Sequence, residues 1–155
     1  MATLTVTHTE NITLEGKNMG STKTMTFTNI ADVYSRILKF RQGTLTSLYT
    51  THDNTVSGAV FDDSALKYVR ITNLGVEDLQ IVVIAENTLE FAYEIKPNQS
   101  FYLYSHQLVV EADDSDAITT AELATLEDID EVKAHCQKGN AKVEIFAAST
   151  DHLAV

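Results

Sequence analysis

Between Lys67 and Val110 apolar residues recur at every second position, and no other feature of the chain restricts its fold as tightly. Leu79, Ile81, Val83 and Ala85 alternate with Gln80, Val82, Ile84 and Glu86, and Leu89, Phe91, Tyr93 and Ile95 alternate with Glu90, Ala92, Glu94 and Lys96. A period of two puts each set on one face of an extended strand. Tyr68 to Thr72 supplies a strand before them, ending at Asn73-Leu74-Gly75. Phe101, Leu103 and Tyr104 begin another, and Leu108 to Val110 a short further one. Glu86-Asn87-Thr88 reads as a tight connection. Pro97-Asn98-Gln99-Ser100 reads as a turn, because proline presets φ and asparagine tolerates the left-handed region. The expectation is an antiparallel meander.

The flanks extend this reading. Leu4, Val6 and His8 alternate with Thr3, Thr5, Thr7 and Thr9, and Met25 and Phe27 alternate with Thr24, Thr26 and Thr28. Threonine rows on an outward face can pair across strands while the apolar face packs inward. Ile12 and Leu14 suggest a short second strand, and Gly16 to Gly20 a loop, since two glycines and an asparagine permit positive φ. Asp32 to Arg41 fits either period, but Tyr34, Arg36, Leu38 and Phe40 alternate as a strand among strands. Leu45 to Thr50 is a strand by composition, and Thr51 to Asn54 with Ser57-Gly58 a loop. Ala117 to Asp130 carries the chain's helical flavour. Thr125 with Asp128 fits a capping box, and Leu126, Ile129 and Val132 recur every three residues. The competing reading of 126–137 makes Val132, Ala134 and Cys136 the inward side of a strand, with Lys138-Gly139-Asn140 a hairpin turn into Lys142 to Ser149. The hairpin is the favoured alternative. Together these give roughly nine to eleven short strands and an all-β, antiparallel β-sandwich, jelly-roll-like, in one domain spanning residues 1–155.

Composition limits function. The chain of 155 residues has a formal net charge of -11, which disfavours nucleic acid and anionic membranes and favours a basic protein partner. Cys136 is the only cysteine, so no internal disulfide forms and assembly in a reducing compartment is expected. Met1 to Thr5 has neither the basic nor the apolar character of a signal peptide. No run approaches the ~18 apolar residues of a membrane helix.

Candidate chemistry is sparse. His8, His52, His106, His135 and His152 form no H-x-H or H-x-x-x-H pair, so a metal site lacks its usual spacing. Asp113, Asp114 and Asp116 make an oxygen-rich run without the glycine and distal glutamate of an EF-hand loop. Cys136 and His135 are adjacent and so project to opposite faces of a strand, a poor nucleophile–base arrangement. Asp62 with Asp63, and Asp128 with Asp130 and Glu131, are carboxylate groups from which nothing selects an acid–base pair. Tyr34, Tyr49, Tyr68, Tyr93, Tyr102 and Tyr104 serve equally as packing or as a sugar-binding platform. The expectation is therefore no catalytic residue, no cofactor and no metal.

Three stretches carry a family resemblance. They are Met1 to His8 with Val33-Tyr34-Ser35-Arg36-Ile37-Leu38; Lys67 to Asn73 continuing through Glu94 to Phe101; and Lys142-Val143-Glu144-Ile145-Phe146-Ala147-Ala148-Ser149. On these the chain resembles small β-sandwich virion proteins of tailed phages, especially marine and cyanobacterial ones, of the capsid decoration or cement type. The resemblance implies a non-enzymatic structural protein, often a homotrimer, assembled in the host cytoplasm and located on the capsid surface with the major capsid protein as partner. It also permits a neck, tail or fibre-associated role. A carbohydrate-binding module for host attachment is the alternative from a different class. Residues 1–10 are the candidate strand for pairing with a neighbouring subunit, because an unpaired edge strand is adhesive.

Overall fold

The computed structural model describes residues 1–51, 61–85, 89–108 and 126–151. Within them the alternating segments form thirteen strands, three of them only two residues long: β1 (Ala2–Thr9), β2 (Thr13–Leu14), β3 (Lys17–Asn18), β4 (Thr22–Ile30), β5 (Asp32–Phe40), β6 (Leu45–Thr50), β7 (Leu66–Asn73), β8 (Leu79–Ala85), β9 (Leu89–Ile95), β10 (Ser100–Leu103), β11 (Gln107–Leu108), β12 (Glu127–His135) and β13 (Ala141–Ser149). A single 3-10 turn, Asp63–Ala65, precedes β7. The connection 86–88, the loop around His52, the acidic run at Asp113, the segment from Ala117 through Thr125, and the tail from His152 lie outside the described residues.

Two antiparallel sheets make the body. One has the order β10-β7-β13-β5; the other runs β9-β8-β12, with β6 paired to β12 and β11 paired to the first residues of β12. Taken as β5-β13-β7-β10 and β6-β12-β8-β9, successive strands fall in opposite sheets at every step except β8 to β9. That is the connectivity of a jelly roll, two interlocked Greek keys, so the sequence reading of an antiparallel β-sandwich holds. The inward faces meet in one core. Val69 and Ile71 of β7 and Val143, Ile145 and Ala147 of β13 face Leu79, Ile81 and Val83 of β8 and Ile129, Val132 and Ala134 of β12, all buried. Burying an aliphatic side chain is worth about 1.5–3 kcal/mol, so this layer dominates stability.

The simple meander expected for 67–110 is not formed. Only β8 and β9 make a hairpin, with Ala85 opposite Leu89 and Leu79 opposite Ile95. The chain leaves β7 for the other sheet and returns after β9, so that β10 pairs with β7, Phe101 opposite Ile71. Asn73 fixes both crossings. It is buried; its Nδ2 donates to the carbonyls of Glu77 at 2.8 Å and Ile95 at 3.2 Å, and its Oδ1 accepts from Gly75 N at 2.9 Å. Its own N–H donates to the Gln99 carbonyl, and its carbonyl accepts from Asn98 N. Asn98 takes the positive φ that the Pro97 turn requires.

Within residues 126–137, Glu127–His135 is strand, as the favoured alternative has it. The three-residue spacing of Ile129 and Val132 has a specific cause: the register slips between Ile129 and Glu131 against β8. The bulge inserts one residue, so two inward side chains stand three apart. Val132, Ala134 and Cys136 do face inward. Lys138-Gly139-Asn140 is not a hairpin turn, however, because β12 and β13 belong to different sheets. It arches over the core edge, with Gly139 at φ +68. There it meets the β5–β6 crossing, where Gly43 N donates to the Cys136 carbonyl and Gln42 Nε2 to the Gln137 carbonyl, both at 2.9 Å.

Candidate interaction surface

The N-terminal thirty residues fold back on themselves as a ribbon lying outside the sandwich. β1 and β4 pair antiparallel, Leu4 opposite Phe27 and Val6 opposite Met25. The expected threonine rows pair on the outer face: Thr5 opposite Thr26, Thr7 opposite Thr24 and Thr9 opposite Thr22, with hydroxyl oxygens 3.3 Å apart in the last two pairs. On the inner face Leu4, Val6 and Phe27 pack on Tyr68, Ala148, Tyr102 and Phe146, the outward side of the β5-β13-β7-β10 sheet. Asn29, at φ +62, adopts the left-handed conformation at the ribbon's irregularity between Ala2 and Leu4, after which Ile30 turns into this second, smaller core. Asparagine is the non-glycine residue most at ease there.

Two rings clamp the ribbon to the body. Tyr104 Oη lies 2.7 Å from His8 Nε2, and His8 stands edge-on to Tyr102 at 4.8 Å between centroids. Tyr102 and Tyr104 are parallel within 4°. Burial, and then the neighbouring Tyr102, raise the pKa of Tyr104 above the ordinary phenol value. Beside this cluster Arg70 bonds Glu144 across β7 and β13 at 2.7 Å and lies over the Phe146 ring.

Beyond Thr9 and Thr22 the ribbon continues to a tip, where the short strand expected at Ile12 and Leu14 is found as β2 and part of the loop expected over Gly16 to Gly20 is instead β3. β2 and β3 pair Thr13 with Asn18 and Leu14 with Lys17. The two-residue turn Glu15-Gly16 has positive φ at both positions, the requirement of a type I′ hairpin. The signal in the sequence is an x-Gly dipeptide between Leu14 and Lys17, but Glu is a weak first residue for that turn, so composition favours a loop over 16–20. At the joint a Cβ on Gly20 would run into the Glu10 carbonyl oxygen, so only glycine lets the two strands pass there. Ser21 Oγ donates to Glu10 Oε2 at 3.0 Å and Met19 N donates to the Ile12 carbonyl at 2.9 Å. The pairing register carries across the joint, but the strands are interrupted at residues 10–12 and 19–21. Beyond it Ile12, Leu14 and Met19 are exposed.

Among the described residues the candidate chemical groups do not converge. His106 faces Asp128 at 3.6 Å, and His135 Nδ1 is 2.8 Å from Gln80 Oε1. Asp62 accepts from Ser64 N and Oγ as the cap of the 3-10 turn. Glu131 pairs with Lys133. Cys136 is buried and its thiol points at the Lys138 carbonyl. Among the described residues no three histidine, cysteine or carboxylate side chains are grouped to hold a metal ion, and no helix is long and apolar enough to cross a membrane. Tyr49 and Tyr68 are core residues, Tyr34 packs on Phe61, and Tyr93 is exposed beside Phe101. Of the six tyrosines, only Tyr102 and Tyr104 form a flat pair near the surface. No protein-family model and no curated protein sequence matches the chain.

Proposed function

We propose that the chain is a capsid decoration (cement) protein: a non-enzymatic subunit that binds the major capsid lattice and opposes rupture of the head. The observation that carries this reading is the ribbon. A folded sandwich with its own core holds out an additional hairpin whose end displays apolar side chains to solvent. Apolar surface presented in this way marks an interaction site. The jelly roll is a common scaffold for capsid subunits, and the resemblance of Met1 to His8, Lys67 to Asn73 and Lys142 to Ser149 to small virion proteins of tailed phages points the same way. In a lattice many modest contacts act together, so a small tip suffices where a solitary complex would need a larger interface. Self-association as a homotrimer and a place on the capsid surface belong to the same proposal. A neck, tail or fibre location fits the same surface at lower copy number.

The test is co-sedimentation of the purified chain with shells lacking it. Saturable binding, with an increase in the temperature at which shells release DNA, is the expected result. Absence of binding at every concentration removes the reading. A second reading, a glycan-binding module, is favoured by the parallel Tyr102–Tyr104 pair, since flat aromatic faces stack on sugar rings. A glycan array decides it: binding abolished by Tyr104→Ala supports the module, and no hits removes it.

A further inference from the structure

A single residue joins the ribbon to the body. β4 ends at Ile30 and β5 begins at Asp32, so Ala31 alone links them. Among the described residues no backbone ladder connects the two parts: β1 pairs with β4 and β2 with β3, and neither pair belongs to a sheet of the sandwich. No residue of the ribbon enters the main core. Side-chain contacts hold the ribbon down, with Leu4, Val6, Phe27 and Ile30 on Tyr68, Tyr102, Phe146 and Ala148. The His8–Tyr104 bond adds to them, and at the link Ala31 N donates to the Ser149 carbonyl at 2.9 Å. An interface built this way forms equally well between two chains.

The link itself favours another conformation. From Thr22 to Phe40 there is neither glycine nor proline. Ile30 and Val33, close on either side of Ala31, are β-branched and prefer extended backbone. Asn29, at φ +62, supplies the left-handed irregularity just before the link. Local preference therefore points to β4 and β5 as one continuous strand, whereas the closed ribbon needs a turn between them. A short hinge held against its preference is the condition under which an element passes between copies instead of folding onto its own chain.

We propose that the ribbon is exchanged between copies of this chain. Ala31 straightens, and the ribbon of one subunit covers the outward face of β13, β7 and β10 of the next. The inference builds on the self-association proposed above and names the element that carries it. The occupant of that face is fixed by a complementarity already present, because the surface is the one the ribbon covers. A short tether holds the ribbon over its own face at an effective concentration of about millimolar. A closed dimer or ring recovers this advantage, since each chain gives one ribbon and receives one. The hinge then decides the balance, its relief set against the loss of the Ala31–Ser149 bond. The tip beyond Thr9 and Thr22 takes no part and stays available to the shell.

The experiment mixes isotope-labelled and unlabelled full-length chain, refolds them together at high concentration and separates the products by size. In the oligomer, isotope-filtered NMR should show Phe27 of one chain against Tyr68 of another, a ring contact of 5.8 Å between centroids. Two changes at the link move the population in opposite directions. Ala31→Pro removes an N–H that the closed form uses and that a straight link leaves to water, so the oligomer should gain about fivefold per chain, the worth of one hydrogen bond. A glycine-serine insertion between Ala31 and Asp32 lets the ribbon close on its own chain and should give monomer. Thermal unfolding checks that both remain folded. A wild-type chain that refolds only as monomer overturns the inference. So does an oligomer in which the Phe27–Tyr68 contact stays within one chain, and so does an oligomer that the insertion leaves intact. A monomer that still binds shells leaves the decoration reading standing while removing this one. An exchanged oligomer that ignores shells does the reverse.

Discussion

Replacing Asn73 by alanine tests whether one side chain holds the two sheets in their jelly-roll order. Asn73 is 1% exposed, and its amide makes three hydrogen bonds, to Glu77 O, Ile95 O and Gly75 N. A typical intramolecular hydrogen bond contributes about 1 kcal/mol net, and a buried group left without a partner costs about 1–3 kcal/mol. Glu77 and Gly75 lie near enough to solvent to regain water, whereas the buried Ile95 does not. The sum is about 3 kcal/mol, which for a chain of this size lowers the melting temperature by about 6–12 °C. Urea unfolding with an unchanged m-value would show that stability fell and not compactness. Asn73→Asp should be worse than alanine at neutral pH, because a carboxylate then faces two carbonyls. Its folded pKa is raised, so its deficit shrinks as pH falls toward the ordinary carboxylate value of about 4. A loss under about 0.5 kcal/mol for alanine, within the range of an inconsequential surface change, would refute the role given to Asn73.

Other outcomes follow from single contacts. The Tyr49 hydroxyl is buried and has no hydrogen-bond partner among the described residues, so Tyr49→Phe should be neutral or stabilising by about 1 kcal/mol in thermal unfolding. Burial raises the pKa of Tyr49 far above the phenol value; the stability this group contributes is whole below about pH 10 and declines above it by about 1.4 kcal/mol per pH unit. The alkaline slope should flatten in Tyr49→Phe. Thr51 Oγ1 donates to the Ile129 carbonyl, and Thr51→Val should lose about 1–2 kcal/mol by stranding that carbonyl. Gly20→Ala should increase amide exchange in the ribbon tip, residues 10–21, and leave exchange across β7, β8, β12 and β13 unchanged.

Much of the fold was legible because strand faces are written in the sequence at a period of two. Leu79 to Ala85, Val143 to Ala147, and Val132 with Ala134 and Cys136 all turned the expected way. Alternation says which side chains share a face but not which strand lies alongside, so the crossings after Asn73, Ile95 and Cys136 were read as a meander and a hairpin. Asn73-Leu74-Gly75 looks like any strand end; its role comes from an amide reaching carbonyls four and twenty-two residues away. The spacing of Ile129 and Val132 imitated a helix because a bulge shifts the count by one. The candidate surface was harder still. Ile12 and Leu14 repeat the pattern of Leu4 and Val6, and nothing in that pattern tells a face covered by the body from one that overhangs it. The threonine rows expected as cross-strand pairs are found so at Thr5, Thr7 and Thr9, which meet Thr26, Thr24 and Thr22, while Thr3 falls in the irregularity between Ala2 and Leu4.

The central claim, that this sandwich works by gripping a shell in many copies, is tested most directly by counting the chain in purified particles with quantitative mass spectrometry against the major capsid protein. The account predicts a fixed stoichiometry that scales with the lattice and falls when the ribbon tip carries Ile12→Asp with Leu14→Asp. A few copies per particle regardless of shell size, or none, would contradict it.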